Sequence, residues 1–63
     1  MNPFEVLKKE INDKVVQLKD WIAAGQAKDY AEYLKVCGEI KGLLTTRQNI
    51  LDLEQRLEHS DDE

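Results

Sequence analysis

Apolar residues recur at Phe4, Leu7, Ile11, Val15, Leu18 and Ile22, three or four positions apart throughout. That spacing follows the 3.6-residue turn of a straight α-helix. Val16 and Trp21 widen the stripe, while Lys8, Lys9, Asp13, Lys19 and Asp20 occupy the other faces. The start is marked by Asn2-Pro3-Phe4-Glu5. Asn2 supplies an acceptor for an orphan backbone N–H, Pro3 needs no N–H at the first helical position, and Glu5 suits the positive helix end. These signals predict a helix over about residues 3–24.

The one break falls at Ala24-Gly25-Gln26-Ala27-Lys28-Asp29. Gly25 can adopt the left-handed conformation that ends a helix, and Asp29 followed by Glu32 repeats the capping pattern for a second one. A connection of about four residues suits antiparallel neighbours. The second helix is expected over about 30–58, with a heptad-like seam of Tyr33, Val36, Ile40, Leu43, Arg47, Ile50, Glu54 and Leu57. Leu34, Cys37, Leu44 and Leu51 flank that seam. At 1.5 Å per residue the helices measure about 33 and 43 Å. Folding back from the turn places Trp21 near Tyr33, Leu18 near Val36, Leu7 near Arg47 and Phe4 near Ile50. Residues after about Leu51 then overhang. The expected fold is all-α: an antiparallel two-helix hairpin over residues 1–58, completed by oligomerisation into a helical bundle. Residues 59–63 form a disordered acidic tail.

Oligomerisation is expected because the apolar content exceeds what one seam can hide. A chain of 63 residues, with one Cys and one His, has neither an intrachain disulfide nor a Cys/His zinc site to staple it. Chains near this size bury only about 60% of their unfolded surface. Leu34, Cys37, Leu44 and Leu51, the overhanging Leu53 and Leu57, and Val16 and Trp21 all need cover. Gly38 and Gly42 each cost about 1 kcal/mol in a helix interior. With Ala31 before them and Thr45, Thr46 and Asn49 after, they form a small-residue strip. Either another backbone approaches it closely, or the glycines make room for Trp21 or Val15 within the hairpin. Trp21, Tyr30 and Tyr33 gather at the turn, as an interface anchor or as a plug for the open end. Arg47 and Glu54 read as register-setting charges in a multimer or as side chains snorkelling at an edge.

The net charge of −4 comes mostly from Asp61, Asp62 and Glu63, without which ten acidic residues nearly balance nine basic ones. No basic cluster suits a phosphate backbone, so nucleic acid is not an expected partner. The longest apolar run, Trp21-Ile22-Ala23-Ala24, is far short of the ~20 residues that span a bilayer. Glu5, Lys8, Lys9 and Glu10 interrupt any secretion signal, and the polar faces carry as much acid as base, against a membrane-surface helix. A cytoplasmic protein is expected.

No residue set suggests catalysis, a cofactor, a metal or a small-molecule substrate. Cys37 reads as a small hydrophobe, although Lys41 lies one turn away, and His59 as a cation at the negative end of a helix. Glu54 and Glu58 share a face without forming an acid–base pair, and exposure on a solvated face accounts for both. Gly38 and Gly42 lie inside a helix, where no phosphate loop forms.

The run Tyr33-Leu34, Gly38-x-Ile40-x-Gly42-Leu43 and Ile50-x-Asp52-Leu53-x-x-Arg56 resembles small helical proteins encoded by tailed bacteriophages among their virion-assembly genes. The resemblance covers about residues 30–56. It implies a non-enzymatic protein of the host cytoplasm or the virion, which multimerises or fastens onto larger capsid or tail components. The partner-binding set expected from the residues is Trp21, Tyr30, Ala31, Tyr33, Leu34, Cys37, Gly38, Gly42, Leu44, Leu51, Leu53 and Leu57. A different expectation, drawn from the net charge and the acidic end, is a small regulator that blocks a basic surface of a host protein.

Overall fold

The computed structural model describes residues 2–59 and consists of two α-helices, α1 (Pro3–Ala23) and α2 (Tyr30–His59), packed as a hairpin. Among the described residues there is no strand. Local signals set both helix starts. The Phe4 backbone N–H donates to Asn2 Oδ1 at 2.8 Å, with Pro3 at the head of the helix. At α2 the Glu32 N–H donates to Asp29 Oδ1 at 2.8 Å, while Glu32 Oε1 accepts from the Lys28 N–H at 3.2 Å. This is a capping box with its return bond displaced by one residue, to the amide before the cap.

The turn carries the expected glycine at φ 73°. The Gln26 N–H reaches back to the Trp21 carbonyl at 3.3 Å and the Gly25 N–H to the Ile22 carbonyl at 3.0 Å. This paired closure is a Schellman motif, and it occupies carbonyls that the end of α1 would otherwise leave orphaned. The connection runs over residues 24–29, longer than the four or so residues expected, because the motif and the Asp29 cap each take residues of their own. At the far end α2 includes His59, which the sequence reading assigned to the tail; residues 60–63 lie outside the described residues.

The hairpin is long and thin, with extents of 53 × 21 × 12 Å and a radius of gyration of 15.4 Å. A compact chain of this length would have about 11 Å. The accessible surface is 5045 Å², against about 4200 Å² for a typical folded monomer of this mass. Among the described residues only Val15 and Val36 are buried, at 5% and 8% exposure, one on each helix. Phe4, Ile11, Leu18 and Ile22 from α1, and Ile40, Leu43 and Ile50 from α2, are half-buried around them.

Toward the open end of the hairpin the expected stripe is replaced. Leu7 turns outward at 46% exposure and Lys8 takes the inner position. Lys8 Nζ lies 2.8 Å from Glu54 Oε1 on α2 and 2.8 Å from Glu5 Oε1 on its own helix. Arg47 Nη1 donates to Asn12 Oδ1 at 2.6 Å. Both cross-helix pairs sit further along the chain than the turn alone suggests. Helical side chains lean toward their own N-terminus, so in an antiparallel pair long side chains meet across levels where their backbones do not.

Candidate interaction surfaces

The helical period sorts the remaining apolar side chains by face. Cys37, Leu44 and Leu51 recur every seven residues along one edge of α2 and are half-buried. Tyr30 starts the same row, and Leu34 lies beyond it; they are 72% and 49% exposed. Val16 of α1 is exposed on the same broad side of the hairpin. Trp21 and Leu18 sit toward the opposite broad side, half-buried, together with the exposed Leu7 and Leu53. Leu57 is half exposed where α2 runs on past the start of α1.

Ala31, Gly38 and Gly42 do lie in a row, but on the outer back of α2, turned away from the Cys37–Leu44–Leu51 row. The structure therefore splits the expected contact set into two surfaces, joined only where Leu34 stands one turn before Gly38. A Cβ placed at Gly38 or at Gly42 would meet nothing within 4 Å. Neither glycine makes room for Trp21 or Val15, so that explanation of the strip is overturned. The Thr46 hydroxyl folds back onto its own helix and donates to the Gly42 carbonyl at 2.9 Å. It serves a backbone group that a glycine leaves open to water.

Arg47 and Glu54 do not snorkel at an exposed edge; both are engaged within the hairpin. Each is half-buried and bonded to α1, and the Glu54 side chain is only 16% exposed. The expectation of Glu54 as ordinary solvated charge fails for the same reason. Periodicity could not foresee the pairing, because it depends on Lys8 displacing Leu7. The hydrogen bond to Glu5, then the one to Glu54, raise the Lys8 pKa above the usual 10.5. Asp13, 2.8 Å from the Lys9 ammonium, does the same for Lys9 on the exposed side of α1.

The aromatic residues at the turn do not plug the hairpin. The Tyr30 and Tyr33 rings stack on the surface, with centroids 6.1 Å apart and planes inclined by 20°. Tyr33 is 40% exposed, whereas Trp21 is half-buried. The Cys37 thiol beside Tyr33, through its hydrogen bond, raises the phenol pKa above the usual 10.0, and Tyr30 adds to the shift. These contacts join the ring pair to the start of the Cys37–Leu44–Leu51 row. Among the described residues no group of three His, Cys, Asp or Glu side chains is placed to hold a metal, and no helix is long and apolar enough to cross a membrane. Comparisons with protein-family models, with curated proteins and with solved structures give no match to this chain.

Proposed function

We propose that this protein is a non-enzymatic interaction module whose open helical faces are covered by a second copy of the chain or by a larger protein. The observation that supports this reading is the 12 Å thickness of the hairpin. That is one helix deep, whereas stable domains pack at least two layers around a shared core. With one layer, only Val15 and Val36 are buried, and eight large hydrophobic side chains are exposed among the described residues. The resemblance of residues 30–56 to small phage-encoded helical proteins is compatible with this reading and extends it to an assembly role in a virion.

Sedimentation over a range of concentrations tests the proposal. The expected result is a mass above 7.3 kDa at micromolar concentration, with a melting temperature that rises with concentration. A single chain at every concentration, resistant to heat and indifferent to dilution, overturns it. The net charge of −4 supports a second reading, in which the chain blocks a basic protein surface. Such binding would collapse in about 0.5 M salt, where electrostatic steering is screened.

A further inference from the structure

We infer that Glu54 and Arg47 are two latches that set the rotation of α1 on α2, drawing Lys8 in between the helices and holding Leu7 outside. Both latches lie within one hairpin and act whether or not the chain associates.

The sequence of α1 permits two inner stripes, which share Phe4, Ile11, Val15, Leu18 and Ile22 and differ at one place. One takes Leu7 and is apolar throughout. The other takes Lys8 and runs in alternating steps of four and three, the heptad spacing of Tyr33, Val36, Ile40, Leu43, Arg47, Ile50 and Glu54 on α2. Hydrophobic burial alone favours the leucine, and an ammonium withdrawn from water without a partner is costly. The structure nevertheless leaves Leu7 46% exposed and reduces the Lys8 side chain to 17%.

The partners of Lys8 and Asn12 account for that choice. Lys8 Nζ lies 2.8 Å from Glu54 Oε1 and 2.8 Å from Glu5 Oε1. Asn2 Nδ2, at the cap of α1, donates to the other Glu54 oxygen, Oε2, at 3.5 Å. One heptad earlier on α2, Arg47 Nη1 donates to Asn12 Oδ1 at 2.6 Å. Successive residues stand about 100° apart around a helix, which puts Lys8 and Asn12 on one side of the α1 stripe and Leu7 on the other. Turning α1 to bring Leu7 inward would carry Lys8 away from Glu54 and Asn12 away from Arg47 in one movement. A half-buried carboxylate and a half-buried guanidinium would then lose their partners together. Selecting one alignment among several is the best-attested use of a charge in a helical seam.

Lys8→Glu tests the latches, because it sets like charge against Glu5 and Glu54. With the first latch repelled, α1 should turn until Leu7 is inside. The Leu7 methyl signals should then lose most of their broadening by a dissolved gadolinium chelate. The side-chain N–H signals of Arg47 should lose the shift that its bond to Asn12 gives them, although neither of those side chains is substituted. Reversing all three charges, with Glu5→Lys, Lys8→Glu and Glu54→Lys in one chain, should restore both readings. Leu7 as open in Lys8→Glu as in the unmutated chain, or an Arg47 bond that survives there, overturns the proposal. A charge-reversed chain that does not regain the Arg47 shift overturns it as well, since opposite charges in the same places would then not set the rotation.

Discussion

The two halves of the hairpin are closed by different chemistry. Toward the turn the inward side chains are Val15, Val36, Leu18 and Ile22, the end of α1 is tied by backbone bonds from Gly25 and Gln26, and the start of α2 by the Glu32 N–H to the Asp29 side chain. At the open end the helices meet through Lys8, Glu54, Arg47 and Asn12, while Leu7, Leu53 and Leu57 face outward. Apolar contact is indifferent to direction and gains with every atom removed from water, so the turn half holds by packing. A polar clamp gains little net energy but tolerates few alternative alignments. The turn half thus supplies stability. The open half supplies alignment and leaves its leucines available.

The largest expected effect separates these halves directly. Val36→Ala or Val15→Ala removes two buried carbons at the most buried positions among the described residues and should cost about 2–3 kcal/mol in urea denaturation at fixed protein concentration. Leu7→Ala should cost under about 0.5 kcal/mol, although its position in the hydrophobic stripe is as regular as that of Val15. Equal costs would mean that the two halves are packed alike. Gly25→Ala comes next. The position is open, with nothing within 4 Å of an added Cβ, so the whole penalty is that of a left-handed backbone at φ 73°. That amounts to about 1–2 kcal/mol.

These contrasts mark what was legible in the sequence. Helix positions, the caps at Asn2 and Asp29, and the left-handed glycine depend on residues within one turn of each other, and local pattern suffices to read them. The hairpin followed from the short connection. The replacement of Leu7 by Lys8 was not legible, because an ammonium enters a helix seam only where a carboxylate waits on the other helix. Glu54 lies 46 positions away in the chain. The division of the contact set into two faces also escaped a linear reading, since Leu34 and Gly38 are neighbours on the helix whereas Gly42 and Leu44 point to different sides.

A smaller effect, of opposite sign, tests the strip on the back of α2. Gly38→Ala and Gly42→Ala meet no neighbour within the chain, so each should stabilise the isolated hairpin by about 0.8–1 kcal/mol through helix propensity. If the strip is where another backbone approaches, Gly42→Leu lowers the sedimenting mass while helix content rises. If mass and helix content both hold, the strip takes no part in association. The Cys37–Leu44–Leu51 row is then the face on α2 left to account for association.

The gentlest probe is alkaline titration, because it reaches both ends of the hairpin by different groups. Lys8 and Tyr33 each hold their proton more tightly in the folded chain than when free, above 10.5 and 10.0 respectively. A raised folded pKa contributes stability that is fully present below the free value and is lost as pH rises through the folded value. Stability should therefore be flat up to about pH 10 and then decline, first through Tyr33 and then through Lys8. Lys9 titrates in the same range, but its pair with Asp13 is exposed on both sides, so Lys9→Gln should barely change the curve. Methyl NMR places each loss. In Tyr33→Phe the signals of Val36 and Ile40 should lose their alkaline shift, and in Lys8→Met those of Ile50 and Leu51 should lose theirs. A pH response at Ile50 and Leu51 that survives Lys8→Met would mean that the clamp does not hold the open half, and that the helices there are aligned by contacts with something other than each other.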